Sequence, residues 1–214
     1  MLRTHGTKSD SKILTIGMII FFDTETTGLT PGNIIQLSYV TEEKAETKAK
    51  NFFFYVPFIP PQSTAIHGIT VEKLAKLSGG HTFSEYLEEI DDDFRRADLT
   101  VAHNFAFDYK FMSAEFSYFD RIFHYKESFD TMKKFTPLVK LPRSGGCGYK
   151  YPKLTELTEF FDIFPYDVSR LSINLFGDAG AAHDSRYDST AMYMSFMAAA
   201  NMLPDIAKIL DEYS

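Results

Sequence analysis

The chain has 214 residues, a formal net charge of −7, 44 % apolar residues and 24 % charged residues. This composition excludes a wholly disordered chain, and the length fits one large soluble domain. The single cysteine, Cys147, excludes an internal disulfide and a thiolate zinc centre, and it points to a reducing, cytoplasmic setting. Taken alone, the acidic balance argues against a polyanionic partner.

The longest apolar run, Ile13 to Phe22, is about ten residues, half of a membrane span. Residues 1–17 read as a loose tail and 18–214 as a single domain, with Met18 a candidate true start. Met18 to Phe22 reads as a doubly buried strand. Asn33 to Thr41 and Lys48 to Val56 read as two further strands, and Pro57, Pro60 and Pro61 force a loop. Thr70 caps a helix to about Leu77, with Ile69 and Leu74 at staple spacing. Phe83 to Arg96 is a helix whose acidic residues form a solvated face turned away from substrate. A strand at Leu99 to Ala102, a helix at Phe105 to Phe119 and a strand at Ser128 to Asp130 follow. Met132 to Lys153, with its prolines and glycines, reads mainly as loop. Lys153 to Phe161 and Asp184 to Met202 read as helices, and Pro204 opens a terminal one. The apolar stretch Ile163 to Ala182 has no assigned structure and could form a mobile lid. The alternation predicts an α/β domain with a central mixed sheet of about five strands flanked by helices.

Asp23 and Glu25 are two residues apart at the end of the first strand, so both carboxylates point to one side. Two acids at the mouth of an apolar strand favour a divalent cation with oxygen ligands. The alternative is an Asx turn with an exposed Glu. A short strand ends in His103-Asn104, and Asp108 falls in the first turn of the next helix. A carboxylate there also suits the helix dipole alone. His183 fits the loop before the last long helix, with Asp184 near its cap and Asp188 in its first turns. A solvated loop histidine is the competing reading.

Taken in order, D-x-E, H-N-x-x-F-D and H-x-x-x-x-D resemble the three motifs of the DEDD 3′–5′ exonucleases, in the subclass with a histidine in the third motif. The family includes the proofreading epsilon subunit of bacterial DNA polymerase III. Ile66-His67-Gly68-Ile69-Thr70 and Phe129-Asp130-Thr131 match it too, so the resemblance covers residues 18 to 202. It implies an RNase H-like fold and a two-metal hydrolysis of 3′-terminal phosphodiester bonds, releasing nucleoside 5′-monophosphates. Asp23, Glu25, Asp108 and Asp188 would hold two divalent cations, Mg²⁺ or Mn²⁺, with Asp23 bridging and Asp108 reaching its ion through water. His183 would be the general base, as an imidazole suits neutral pH. Thr26, Thr27, Gly28, His67, Asn104 and Phe107 would hold the terminal nucleotide. Leu29 would be either a wedge between bases or a core residue, and burial behind its helix competes for Phe107. Ser185 stands where relatives carry a small residue, with little consequence expected.

The substrate implied is a DNA 3′ end, single-stranded or frayed, in proofreading, repair or turnover, with a DNA polymerase as a weakly supported partner. The alternatives are an RNA 3′-end trimmer resembling RNase T or oligoribonuclease, and a catalytically silent nucleic-acid-binding subunit. Residues 132–153 carry six Lys and Arg side chains and no acid, interleaved with Tyr149 and Tyr151. They read as a track for a single strand or as a solvated loop, with Lys150 and Lys153 as phosphate contacts whose loss would raise KM and flatten its salt dependence.

Overall fold

The computed structural model describes residues 17–30, 32–178 and 180–213. The expectation of a loose tail therefore falls outside the described residues, except at Gly17. That residue is buried, and a Cβ there would lie 2.7 Å from the Tyr213 Cα. A side chain at Gly17 would push the end of the chain away.

Five strands form one sheet in the order β3-β2-β1-β4-β5. They are β1 (Met18–Thr26), β2 (Ile34–Glu43), β3 (Glu46–Phe53), β4 (Leu99–Ala102) and β5 (Glu127–Asp130). β1, β2 and β3 pair antiparallel, while β1, β4 and β5 pair parallel, so the sheet is mixed as expected. The helices are α1 (Pro61–His67), α2 (Val71–Ser78), α3 (Phe83–Arg96), α4 (Phe105–Tyr118), α5 (Thr131–Val139), α6 (Leu154–Phe160), α7 (Pro165–Phe176), α8 (Ser185–Met202) and α9 (Pro204–Tyr213).

The period of two along β1 sorts its side chains into two cores. Ile20 and Phe22 pack with α3 and α4 through Phe94, Phe105, Phe111 and Phe116. Ile19 and Phe21 pack with α8 and α9 through Met192, Phe196, Ala199 and Ile206. Asp23 and Glu25 continue the second face, and Thr24 the first. α8 lies close to the sheet because small residues line its buried side, and its buried hydroxyls bond back into the helix, Thr190 to the Arg186 carbonyl (2.7 Å) and Ser195 to that of Ala191 (2.8 Å).

Three stretches read as loop or left unassigned are helices. Pro61 does not extend the loop but opens α1 at a position whose N–H has no partner to lose. α5 tolerates Pro137 in its interior because Asp130 caps its start, accepting from Lys133 N–H (3.3 Å), and Phe135 anchors it in the core. Residues 165–176 of the unassigned stretch form α7, which buries Val168 and Ser172 and sends Leu175 and Phe176 against the α8 core.

α3 also corrects the picture of a solvated acidic face. The Asp91 side chain is only 3 % exposed and lies between Arg95 and Arg121, while Asp93 accepts from Tyr39 Oη and Lys50 Nζ (both 2.6 Å). These pairs tie α3 to the sheet and to the loop after α4. No helix among the described residues is long and apolar enough to cross a membrane.

Phe94 makes edge contacts with Phe22 (5.2 Å), Tyr39 (5.5 Å) and Phe123 (5.1 Å), joining α3 to β1, β2 and the segment before β5. Phe94→Ala is expected to cost about 3–5 kcal/mol, read as a lower urea midpoint at unchanged slope.

Candidate active site

The three carboxylates of Asp23, Glu25 and Asp188 present oxygens that all lie within 4.8 Å of one another. They converge at the end of β1, where the register with β2 shifts between Glu25 and Thr26. Such a bulge sharpens the local twist and re-aims side chains at a strand end. Burial raises the Asp23 carboxyl well above its usual value, and Asp108, Asp188, Glu25 and Asp184 add to the rise. Burial, then Asp188, Asp184 and Asp108, push Glu25 up to about 9. Asp188 rises to about 7, again chiefly by burial, against the hydrogen bond it accepts from the His183 backbone. The groups acting on Asp23 and Glu25 are all carboxylates.

Asp108 is not part of this cluster. It sits on α4 with its Oδ1 accepting from the Thr24 N–H (3.1 Å) and hydroxyl (2.8 Å). Thr24 points to the α4 face of β1, so it holds Asp108 on that side of the strand. Burial lifts Asp108 to about 7, and the Thr24 hydrogen bonds limit the rise.

The start of α8 is fastened to the sheet by buried polar side chains. Gln36 on β2 donates to Asp184 Oδ1 (3.0 Å) and to Asn51 (2.8 Å), and its Oε1 accepts from the Ser185 N–H (3.4 Å). Ser38 and Ser185 share a hydroxyl hydrogen bond at 2.6 Å, both fully buried. The choice of Ser185 thus has a consequence that its size alone does not suggest. Arg186 grips Asp184 with Nε (2.9 Å) and Nη2 (2.7 Å), reaches Asp178 with Nη1 (3.0 Å), and lies over the Phe53 ring. Burial pushes the Asp184 carboxyl up, but the Arg186 hydrogen bonds and charge, with the Gln36 amide, hold it below its ordinary value. His183, exposed on this loop, has φ +64° and donates its backbone N–H to Asp188 Oδ2 (3.1 Å). Gly180 precedes it with φ +60°, where a Cβ would lie 2.7 Å from Asp184 Cγ. The loop placement expected for His183 is therefore found.

A cavity of about 570 Å³ opens over the cluster, lined by Asp23, Asp188, His183, Thr26–Leu29, His67 and Phe107 among others. Thr26 bonds the Gly28 carbonyl (2.8 Å), and Ser63 on α1 bonds that of Thr27 (2.9 Å), which fixes this loop. Nδ1 of His67 accepts from the Ile69 N–H (3.1 Å), which puts the proton of the neutral ring on Nε2. Burial, with the charge of Lys73, keeps the His67 imidazolium below the usual range. Leu29 is 78 % exposed at the cavity mouth, which removes the core reading for it. Phe107 is half-buried and both lines the cavity and packs on the α4 core.

Asn104, Lys150 and Lys153 do not line this cavity. Asn104 has φ +72° at the start of α4, with its N–H held by Asp130 Oδ1 (3.2 Å). Lys150 is paired with Glu156, and the Lys153 N–H donates to the same carboxylate (2.8 Å). His103, part of the second motif, is a strap: its Nε2 lies 3.0 Å from the Pro152 carbonyl and its Nδ1 2.9 Å from the Thr131 hydroxyl. Thr24, Gln36, Ser38 and Arg186 are further site-building residues to which sequence reading gave no role, and Asp130, matched within Phe129-Asp130-Thr131, is another. Arg186 finds its partners nearby, whereas those of the others lie far along the chain.

Two outcomes are expected. Carboxyls of the unfolded chain titrate at about 4, whereas Glu25 is folded at about 9 and Asp188 at about 7. Their raised values add stability that is complete below about pH 4 and is lost as pH rises through the folded values. In EDTA, Asp23→Asn will therefore melt above the parent at pH 8, and the difference will close towards pH 4. Second, Arg186→Ala frees the His183 loop and exposes Asp184. It is expected to lower kcat about tenfold, with KM within about twofold, in steady-state assays.

The exonuclease family described as RNase_T matches residues 20–163. Over 194 residues the chain is 31 % identical to the DNA polymerase III PolC-type protein of Mycoplasmopsis pulmonis (strain UAB CTIP), covering 88 % of this chain and 12 % of that one. Over 112 residues it is 34 % identical to the DNA polymerase III subunit epsilon of Escherichia coli (strain K12), covering 48 % and 44 %. E. coli Exonuclease I in complex with a dA16 oligonucleotide superposes with a TM-score of 0.67 at 15 % identity, over 91 % of this chain and 42 % of that one. Exonuclease I from Methylocaldum szegediense gives 0.63 at 17 % identity, over 89 % and 42 %. The chain spans less than half the length of each of these proteins. The family match takes in most of the chain, including β1 with Asp23 and Glu25 and α4 with Asp108, and the sheet is that of RNase H-like exonucleases; the chain belongs to the DEDD-type 3′–5′ exonuclease family.

Proposed function

We propose that this protein is a metal-dependent 3′–5′ exonuclease of the histidine subclass, removing nucleoside 5′-monophosphates from single-stranded or frayed DNA ends. The observation that carries this reading is the convergence of Asp23, Glu25 and Asp188 within 4.8 Å beside a nucleotide-sized cavity. The donor set fits a hard dication such as Mg²⁺ or Mn²⁺: all oxygen, partly buried, and mutually repelling. Asp23, Glu25 and Asp188 would hold one ion, and Asp108, with Asp23, would serve a second through water. Bound there, the ions would polarise the scissile phosphate and lower the pKa of water.

The chain's own residues supply the rest. An imidazole nitrogen of His183 takes the proton of the attacking water, while its backbone bond to Asp188 fixes the loop. The Thr26–Gly28 segment and His67 would border the terminal sugar and phosphate, and Phe107 and Leu29 would flank the base. DNA as substrate and a proofreading or repair role rest on the names of the polymerase III relatives and on the dA16 complex of Exonuclease I. The same names make a replicative DNA polymerase the partner to test by pull-down.

Matched 3′-labelled DNA and RNA 12-mers with Mg²⁺ test this reading. Mononucleotide release from DNA, lost by at least about a thousandfold in Asp23→Asn and about a hundredfold in His183→Ala, is expected. Equal or faster loss of RNA would move the assignment to RNA trimming. Release that survives Asp23→Asn would end the metal-site reading.

A further inference from the structure

Residues 140–153 leave α5 and return to α6 as a short hairpin. Pro142 bridges Tyr149, and the Lys150 N–H donates to the Leu141 carbonyl (3.0 Å). Burial then alternates along the returning leg: Tyr149, Tyr151 and Lys153 are exposed, Lys150 is half-buried and Pro152 is buried. This is the period of an extended chain, so the two tyrosines and Lys153 share one face. Tyr149 is 47 % and Tyr151 59 % exposed. Exposure of single rings is ordinary at a protein surface; here two rings fall on one face of one extended leg.

The leg is rooted beside the carboxylates. The carbonyl of Pro152 is bonded to His103 at the end of β4, and the next residue, Asn104, opens the helix that carries Asp108. Tyr151 is thus one residue from the root and Tyr149 three. An extended chain covers at most about 3.6 Å per residue, so the Cα atoms of both tyrosines lie within about 11 Å of it. That is the reach of the few nucleotides that precede a 3′ end held in the cavity.

The charges sort in the same way. Lys133 pairs with Asp130 (3.2 Å), Lys134 lies over Phe129, and Lys150 pairs with Glu156. Lys140 and Arg143, at the outgoing leg, are exposed and form no ion pair among the described residues. The hairpin therefore offers two open aromatic faces with free cations alongside. Sequence-tolerant binders of single strands combine these elements, stacking bases on rings and meeting phosphates with cations.

We propose that this hairpin grips the single strand upstream of the 3′ end, with Tyr149 and Tyr151 as stacking faces and Lys140, Arg143 and Lys153 as phosphate contacts. Lys150 serves instead to fix the hairpin to α6. The proposal rests on the exonuclease reading for the position of the 3′ end, yet binding can be measured without turnover.

The test is fluorescence anisotropy of 5′-labelled dT12 and rU12 in EDTA, with the parent, Tyr149→Ala/Tyr151→Ala and Lys140→Ala/Arg143→Ala. The tyrosine pair should weaken dT12 binding by about tenfold or more at an unchanged unfolding midpoint. The cation pair should lower the slope of log K against log salt by about 1.4, two phosphates at about 0.7 each. The parent should bind rU12 within a few-fold of dT12, since neither contact reads the sugar. A dissociation constant within twofold of the parent in the tyrosine variant, or an unchanged salt slope in the cation variant, overturns the grip. If the tyrosine variant fails to fold, the salt slope alone decides. Loss of binding in the variants of a protein that hydrolyses neither DNA nor RNA with Mg²⁺ would uphold the grip and remove the exonuclease reading.

Discussion

Asp23, Glu25 and Asp188 repel one another at close range, and the further charges that act on the first two, Asp108 and Asp184, are carboxylates as well. Removing such groups from water without a counter-charge opposes their ionisation, and the raised carboxyls record that opposition. Without a counter-charge the cluster is relieved by taking up protons, while the fold holds its carriers together. β1 is the middle strand, packed on both faces and paired with β4 up to Phe21, and its end stays paired with β2 through Thr26. A dication bound there would release this repulsion, so that ion binding would add to local stability.

The two helices that bring the remaining acids are secured by a shared device. Side chains on strand ends accept the free N–H groups at the helix starts. Gln36 takes that of Ser185 at the head of α8, and Asp130 takes that of Asn104 at the head of α4. Helix starts carry unpaired donors in any case, so these bonds satisfy an existing need and fix orientation as well. Both adjoining turns adopt left-handed backbone, at His183 and at Asn104. Such conformations persist where surrounding bonds over-determine them. The site residues thus stand on short, strained and well-bonded joints rather than on loose loops, which favours a fixed separation of the carboxylates.

The alternation of β1 made the Asp23–Glu25 pair legible, because a strand has only two faces and its apolar run ends just before the pair. The motif order then located Asp108, His183 and Asp188. What escaped was decided by distant partners or by proline context. Pro61 begins a helix and Pro137 sits inside one, yet in sequence each reads as a break. Asp91 looked like one acid among many until Arg121, thirty residues on, closed over it. Ser185 looked like a neutral choice because Ser38 and Gln36, its partners, lie nearly 150 residues earlier. Lys150, expected to meet phosphate, is paired with Glu156, a partner that the sequence does not announce.

The net charge of −7 illustrates why a total can mislead about a partner. Part of it is the Asp23–Glu25–Asp188 cluster, whose charge suits the dication proposed to bind there. Part is α3, where Asp91 and Asp93 are bonded into the fold by arginine, lysine and tyrosine. The α3 acids do not line the cavity, and the charge of the cluster that does is the charge a bound dication would offset. The hairpin has no acid between residues 131 and 153, and Lys140 and Arg143 are left unpaired there among the described residues. Attraction for a polyanion falls off within about a Debye length, so a few free cations beside the path of the strand outweigh a larger negative charge elsewhere on the molecule. An enzyme that must bind an end, cut it and release it gains from such a limited grip, since a long basic footprint would slow departure.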